Sequence, residues 1–581
     1  MPELTAIQER VLDPEVRLVE AGPGSGKTRA LVARFLQTSR STTRGVALLS
    51  FTNAAIDEVR RRTAGSPGAV SAPNFVGTID SFLNRFIVTP AEVPRLGRQP
   101  TYRPSWDDLP SGIRVLRLAG ISGQGGVPLA AFRKSADGSF VVNENQLKQP
   151  ERLYLESVDA ADRRLQLVNR ATGIINGLNE AGHYDAHTAR LRAFEILRSH
   201  DGDAIVRRLS KRFAEVLLDE AQDCDAAEFG VLQLLAPHTR TVLVADPDQA
   251  IFAFRGSNPQ LFLDYRDSLP AEQKTSLGDN HRSTPEICGL TSSLRTGGQA
   301  AVVAVSQDPG PPVYVVKGSA SDQRHKFLTV LDEHEIDPSD AIVLSHSLAR
   351  ARSVAGVDDP AANSVAAGNR LASACWVLRQ HGNDARTRLD AVSDVEEIIL
   401  SLATWPVEVE RSDRSGKLDH AKKDPQWLRR SAGSLISSLS AVTDRAEFGA
   451  VARSRLEPIV DELGVGHVSL GPKVQQPDAA TWGRSSAAAI NDARLQYDTV
   501  HGAKGTEAPA VLLSLPAPLQ ADDAGRTVLD DWATSTSSER LRVLYVGVSR
   551  AQRLICLGVT NTKAAAVVAN LSAAGIPREI R

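Results

Sequence analysis

The chain has only four cysteines, Cys224, Cys288, Cys375 and Cys556, with no C-x-x-C pair and no clustered histidines. That scatter argues against zinc or iron–sulfur ligation and against a disulfide framework, and makes a reducing, cytoplasmic setting the expectation. No apolar run approaches the ~20 residues that a bilayer span needs. The opening MPELTAIQERVL carries Glu3, Glu9 and Arg10 among its apolar residues, so it has no signal-peptide core and no targeting segment is expected. An excess of one charge is also lacking: 67 Lys and Arg stand against 69 Asp and Glu, a formal net charge of −2. Any surface for nucleic acid must then be a local groove, not a global positive field.

With 581 residues, the chain has room for roughly three to five domains or subdomains, each with its own core. Helix and strand patterns alternate over residues 1–88, with strands VRLVEA and GVALLSF and helices TRALVARFLQT and NAAIDEVRRR, which favours a parallel sheet. The sheet pattern resumes at AEVLLDEAQD and TVLVADPDQA, and again at PVYVVKG, DAIVLSH, APAVLLSLP and RLICLGV. The economical description is two α/β cores, each interrupted once. Residues 1–88 and 201–275 form the first core, with a loop-rich, then helical insertion at 89–200. Residues 276–350 and 490–581 form the second, with a helical and polar insertion at 351–489. Composition marks SDRSGKLDHAKKDPQW and SLGPKVQQPDAATWGRSS as exposed linkers or loops.

AGPGSGKT, residues 21–28, follows an apolar strand and opens a helix, as a phosphate-binding loop requires. Gly22, Gly24 and Gly26 let main-chain N–H groups curl around a phosphate, with Ser25 and Arg29 flanking them. Lys27 reaches the β and γ phosphates and Thr28 offers a hydroxyl to Mg²⁺. Ala21 takes the place of the first glycine of the strict pattern. Further on, VLLDEAQDCD ends an apolar run at Asp219 and Glu220. Alone, these two acids read as solvated turn residues. With a phosphate loop upstream they read as a magnesium-side acid and a base beside it. Cys224 reads as a small buried side chain, and Asp223 as a hydrogen-bonding residue near the sheet edge. A phosphate loop by itself equally suits a small-molecule kinase, a GTPase or a transporter ATPase.

DEAQD, together with VADPDQAIFAFRGS (244–257), DNHRST (279–284), TVHGAKGTE (499–507) and LYVGVSRAQ (544–552), resembles the superfamily 1 helicases of the UvrD, Rep and PcrA type in motif order and spacing. The resemblance covers both cores and implies two RecA-like P-loop NTPase cores, each with a largely helical insertion subdomain. It implies that Gln8 reads the adenine edge, that Lys27 and Thr28 take phosphate and magnesium, and that Asp219 holds Mg²⁺ through water. Glu220 would be the general base, Gln222 the link from the γ-phosphate to movement, and Gln249 a second γ-phosphate sensor. Arg282 and Arg550 would reach the triphosphate across the cleft, Glu507 the ribose, and His281 the adenine ring by stacking. The implied lining of a single-strand groove is Phe51, Thr52, Asn53, Thr78, Phe82, Phe254, Arg255, His501 and Lys504, while Phe252 suits core and groove equally.

The implied activity is an ATP-dependent, Mg²⁺-requiring DNA helicase or translocase moving 3′ to 5′ on single-stranded DNA, in repair, recombination or antiphage defence. Single strands and 3′-tailed duplexes are the expected nucleic-acid partners. No fused nuclease is expected after Arg550, so a nuclease would be a separate protein, as in Gabija-type defence systems. Phe252 and Phe254 replace the family's Tyr and Trp pair, Asp80 its His and Ala54 its Lys. The 350–490 insertion lacks the family's glycine-rich signature. These departures leave two alternatives open: a translocase that does not separate strands, and an ATP-sensing regulatory subunit of a nuclease-containing complex.

Overall fold

The computed structural model describes residues 4–581 except 110, 119–125, 135–138, 145–146, 148, 159–160, 253–255, 297–300, 357–365, 380–384, 407–408, 410–413, 480, 483–494, 517–518 and 523. β1 (Leu18–Ala21) leads into α1 (Lys27–Ser41), β2 (Gly45–Ser50) into α2 (Asn53–Thr63), and β3 (Phe75–Thr78) into α3 (Ile79–Leu83). After the first insertion come α4 (Ala186–Arg198), α5 (Gly202–Arg212), β4 (Phe213–Leu218), α6 (Ala226–Leu235), β5 (Arg240–Ala245) and β6 (Lys274–Leu277). The six strands form one parallel sheet in the order β6-β1-β5-β4-β2-β3.

Unbroken apolar runs, Val46–Leu49 in β2, Val216–Leu218 in β4 and Val242–Ala245 in β5, form the centre of the sheet because both of its faces are covered. Leu48, Leu217 and Val244 pack on one side with Phe35 of α1. Leu49, Leu218 and Leu243 pack on the other with Phe213, Phe229 and Phe262. The order puts the carboxyl ends of β1, β5 and β4 side by side, so the loops that follow them converge, as open parallel sheets do at their ligand sites.

A second sheet follows α7 (Pro285–Ser293). In it β8 (Ala508–Ser514), β9 (Ala551–Val559), β7 (Val313–Lys317) and β10 (Arg578–Ile580) lie parallel in that order, with α8 (Glu539–Val548) preceding β9. Strand patterning foresaw the long buried strands. It missed β3, β6 and β10, which are short strands with half-exposed or exposed residues and little apolar signal.

The chain divides into two compact units. The first comprises Met1–Gly318, Leu344–His346 and Thr499–Arg581 and holds every element labelled above. The second comprises Ser319–Val343 and Ser347–Asp498. Its helices Ala367–Arg379, Ala385–Leu402, Pro425–Ser440 and Arg445–Asp461 enclose a core that includes Leu371, Ile399, Leu435 and Phe448. Among the described residues, no helix is long and apolar enough to cross a membrane.

Three sequence expectations change. The first insertion is mixed instead of largely helical: Val115–Leu116 pairs antiparallel with Val127–Pro128, and Phe132–Lys134 with Phe140–Val142, beside helices Gln149–Ser157 and Ala161–Glu180. Its own core contains Trp106, Leu129, Phe132, Tyr154 and Leu167. Its last helix, α4, packs instead with the first sheet through Ala189, Ala193, Ile196 and Leu197, so residue 200 is not where the packing changes. The stretches read as linkers are folded in part. Arg414–His420 is helical with Leu418 buried, and Leu470 and Val474 are buried in the second unit. Spaced single apolar residues escaped a judgement made on bulk composition.

One buried ion pair fixes α1 against β4 and hence the phosphate loop against the acids. The Arg34 guanidinium donates to Glu215 Oε1 at 2.6 and 3.1 Å and to the carbonyls of Val11 and Asp13, while Thr38 Oγ1 donates to Glu215 Oε2 at 3.0 Å. Glu215→Ala leaves a buried cation uncompensated and is expected to destabilise the protein by about 3–5 kcal/mol, measured as a lowered urea midpoint. Replacing both partners with well-packed apolar residues should recover most of that loss.

Candidate active site

The loop after β1 is shaped by two glycines with left-handed backbone, Gly24 at φ 69° and Gly26 at φ 79°. A Cβ on Gly24 would stand 2.5 Å from Asn280 Oδ1, and one on Gly26 2.5 Å from Gln8 Nε2. Both positions therefore require glycine for conformation and for space. Ser25 Oγ donates to the Gly22 carbonyl at 2.7 Å, and Gln8 Nε2 donates to the Ser25 carbonyl at 3.0 Å, so Gln8 braces the loop from behind. Lys27, Thr28 and Arg29 form the first turn of α1, and Lys27 Nζ donates to Glu220 Oε1 at 3.0 Å.

Beyond β4, the Asp219 N–H donates to the Leu49 carbonyl at 2.9 Å, and Asp219 Oδ1 accepts the Glu220 N–H at 3.0 Å. Glu220 has φ 59°. A left-handed glutamate costs of order 1 kcal/mol and persists where its surroundings over-determine it, a pattern that clusters at functional sites. Its carboxylate accepts from Lys27 and, at 2.6 Å, from Gln222 Nε2. Burial and the adjacent Glu220 push Asp219 up to about 6. Burial acts on Glu220 in the same sense, but Lys27 and Lys504 outweigh it and hold that carboxyl at about 2, ionised and able to accept a hydrogen bond from water.

Gln222 is 0% exposed, and its amide bridges two loops: Nε2 donates to Glu220 while Oε1 accepts the Asp246 N–H at 3.1 Å. Asp246, buried at the end of β5, accepts from Gln249 Nε2 at 2.8 Å, Tyr545 Oη at 2.8 Å and Arg295 Nη2 at 3.1 Å. Tyr545 lies on α8, so a hydrogen-bonded chain runs from Glu220 through Gln222 and Asp246 to a helix of the second sheet.

That sheet also brings its cations here. Asn280 Nδ2 donates to the Pro23 carbonyl at 2.9 Å, while its Oδ1 accepts the N–H groups of Arg282 and Ser283, tying the glycine loop to the arginine segment. The His281 N–H bonds the Gly24 carbonyl at 3.0 Å, and the His281 side chain is exposed at the rim. Arg282 pairs with Glu507. Arg550 is buried, donating to the carbonyls of Val546 and Thr506 and to Ser549 Oγ. Burial, with Arg282 close by, lowers the Arg550 guanidinium to about 10. Two neighbouring arginines, one held by neutral partners, make a place where an anion is favoured.

The expected strand-contacting residues divide. β2 and β3 are adjacent, with Ser50 opposite Thr78, so FTN and the Thr78 turn lie side by side at one sheet edge. Thr52 caps α2 by accepting the Ala55 N–H, and Thr78 caps α3 by accepting the Ser81 N–H; Thr52 and Asn53 are exposed and Phe51 half-buried. Phe82 is a correction. It is 1% exposed and packs against Phe75, Phe86 and Phe213, so it belongs to the core, as the inward face of α3 demands.

Lys504 is a second correction. Its side chain is 9% exposed; Nζ bonds Asp223 Oδ2 at 2.5 Å and the Gln249 carbonyl at 2.8 Å, and lies 3.8 Å from Glu220 Oε2. It joins the second sheet to Glu220 and Asp223 instead of facing a groove. It also explains Asp223, whose carboxylate is its anchor. Half-buried His501 stacks edge-on to His346 at 5.8 Å, and burial with His346 nearby lowers its pKa. Asp80, where a groove histidine was the family expectation, is turned to Arg190, which donates to it at 2.7 and 2.9 Å. Phe254 and Arg255 lie outside the described residues.

Sequence reasoning passed over Asn280, Asp246, Tyr545 and Arg295. The first three stand inside quoted motifs, DNHRST, VADPDQ and LYVGVSRAQ, and buried polar side chains beside assigned residues were the available signal. Asn280→Ala removes three hydrogen bonds behind the glycine loop. It is expected to weaken ATP binding about tenfold, the cost of roughly one to two net hydrogen bonds, by calorimetric titration; Asn280→Asp, which keeps the acceptor, should recover part.

Residues 4–270 match the UvrD/REP helicase N-terminal domain family. DNA helicase II of Salmonella typhimurium is 26% identical over 282 residues, 48% of this chain and 38% of that protein. ATP-dependent DNA helicase UvrD1 of Mycobacterium tuberculosis is 27% identical over 300 residues, 48% of this chain and 37% of that protein. ATP-dependent DNA helicase PcrA of Staphylococcus epidermidis is 26% identical over 282 residues, again 48% and 37%. The aligned part of this chain spans less than two-fifths of the length of these relatives. The family match over residues 4–270, these similarities, and the gathering of glycine loop, acid pair and two arginines at one place make the chain similar to the UvrD-like helicases of superfamily 1.

Proposed function

We propose that the chain is an ATP-driven motor that moves along single-stranded DNA, built from two RecA-like cores that correspond to the two sheets. The observation that carries this is the convergence of Arg282, Arg550, Lys504 and Tyr545, all from segments around the second sheet, on the phosphate loop and acids of the first. A triphosphate on the glycine loop would give Lys27 and the two arginines an anionic partner, drawing the second sheet's segments toward the first. Loss of the γ-phosphate removes those charge-assisted bonds.

In this reading Glu220 orients the attacking water. Gln222 carries the change at that carboxylate to Asp246, and Tyr545 passes it to α8, whose C-terminus leads directly to Arg550. The Thr28 hydroxyl and the Asp219 carboxylate are hard oxygen donors that suit a magnesium ion which keeps most of its water and phosphate ligands. When bound, that ion neutralises phosphate charge. Thr52 and Thr78, at helix starts beside exposed Asn53, offer hydroxyls and main-chain N–H groups to a strand's phosphates, consistent with sequence-independent binding. The relatives are named DNA helicases, which supports DNA as the track and strand separation as the outcome, with 3′ to 5′ movement the family's direction.

The test is the ATPase rate with and without single-stranded DNA or RNA, followed by strand release from a 3′-tailed fork. DNA-stimulated turnover with release supports the full reading; stimulated turnover without release leaves a translocase; nucleotide binding without turnover overturns the motor. Glu220→Gln should keep ATP binding and lower turnover by at least about 10²-fold, since loss of a general base costs 10²–10⁴. Arg550→Ala should lower kcat more than ATP affinity, by roughly 10³-fold if it serves the transition state.

A further inference from the structure

β3 is the outer strand of the first sheet, and along it runs a concavity of about 350 Å³ whose lining includes Asn74, Gly77 and Ser81 and three arginines, Arg60, Arg85 and Arg212. The arginines come from α2, from the turn Asn84–Val88 that continues α3, and from the last residue of α5. The Arg85 guanidinium lies 5.4 Å from the Phe86 ring centroid, and that of Arg212 lies 5.0 Å from the same ring and 5.1 Å from Phe213.

Two cations thus share one aromatic ring. Each is attracted to its face, but they repel one another, and among the described residues neither has an ion-pair partner; the buried Arg212 Nε has no hydrogen-bond acceptor. The exposed face of α5 adds Arg207, Arg208 and Lys211 against one acid, Asp203. In a chain of net charge −2 this is a local concentration of positive charge with a groove through it.

The groove continues from the candidate strand contacts, since Ser81 Oγ and Thr78 Oγ1 share a hydrogen bond of 2.8 Å. Guanidinium groups match phosphate oxygens in a fork geometry, and their stacking on Phe86 holds them in place. Arginine heads cover the Phe86 ring, so the groove suits a phosphodiester backbone better than stacked bases. We propose that the β3 edge is an auxiliary track that binds the phosphate backbone of the nucleic-acid strand beyond Thr78. It rests on the nucleic-acid reading above and extends the strand path past the two sheets.

The test measures binding of the full chain to oligothymidylates of about 8 and about 20 nucleotides, lengths around the usual range of single-strand site sizes, over a series of salt concentrations. The wild type should bind the longer strand more tightly and with a steeper salt slope. Arg85→Gln with Arg212→Gln should remove that increment, reducing the long-strand slope by about 1.4, the value for two lost single-strand phosphate contacts, while leaving short-strand affinity and short-strand-stimulated ATPase unchanged. Arg85→Lys with Arg212→Lys should keep the slope. A wild-type slope in the double Gln variant overturns the track and leaves the edge to a partner protein. Equal loss on both lengths overturns it too, placing the arginines in the primary path. Failure of the wild type to bind either strand refutes the nucleic-acid reading itself.

Discussion

The site depends on neutralising four acids crowded at the carboxyl ends of β4 and β5. Asp219, Glu220, Asp223 and Asp246 are all largely removed from water, and their mutual repulsion would be costly if their cations were not held in place. Lys27 reaches them from the glycine loop. Lys504 and Arg295 come from segments far along the chain, and Tyr545 adds a neutral donor that burial and Asp246 keep protonated. The loops between the two sheets are therefore joined by charge and not by apolar packing alone. Such contacts can be exchanged for phosphate oxygens without dismantling a core, as the proposed nucleotide-driven cycle requires.

The hydrogen-bonded path from Glu220 to the second sheet is short. Gln222 has each end of its amide engaged, one on Glu220 and one on the Asp246 main chain, so a shift at either end is felt at the other. Asp246 then distributes it to Gln249, Arg295 and Tyr545. The left-handed Glu220 holds the carboxylate at the head of this chain, where a relaxed backbone would aim it elsewhere.

This chain also departs from its relatives in a coherent way. Asp80 is drawn inward by Arg190, which also approaches Asp225 and Glu228, so the turn carrying Thr78 is tied through an ionic cluster to the start of α6, just beyond Asp219 and Glu220. Where a groove residue was expected, the structure has a brace between the Thr78 turn and the start of α6. Lys504 likewise serves the joint between the sheets.

By itself the sequence determined the long strands, because fully buried parallel strands must be continuously apolar, and it determined the glycine loop and the acid pair, because phosphate chemistry demands those residue types at strand ends. Motif order carried Gln222, Arg282 and Arg550 to the same site. Only the tertiary structure decided which polar side chains face a ligand and which face each other. Phe82 went to the core, Lys504 to Asp223, Asp80 to Arg190, and Asn280 and Asp246 became the site's anchors. The physical reason is that a motif records residue type at a sequence position, whereas the partner of a charge is set by what the fold brings within about 3 Å of it, at sequence separations of 281 for Lys504 and Asp223 and 299 for Tyr545 and Asp246.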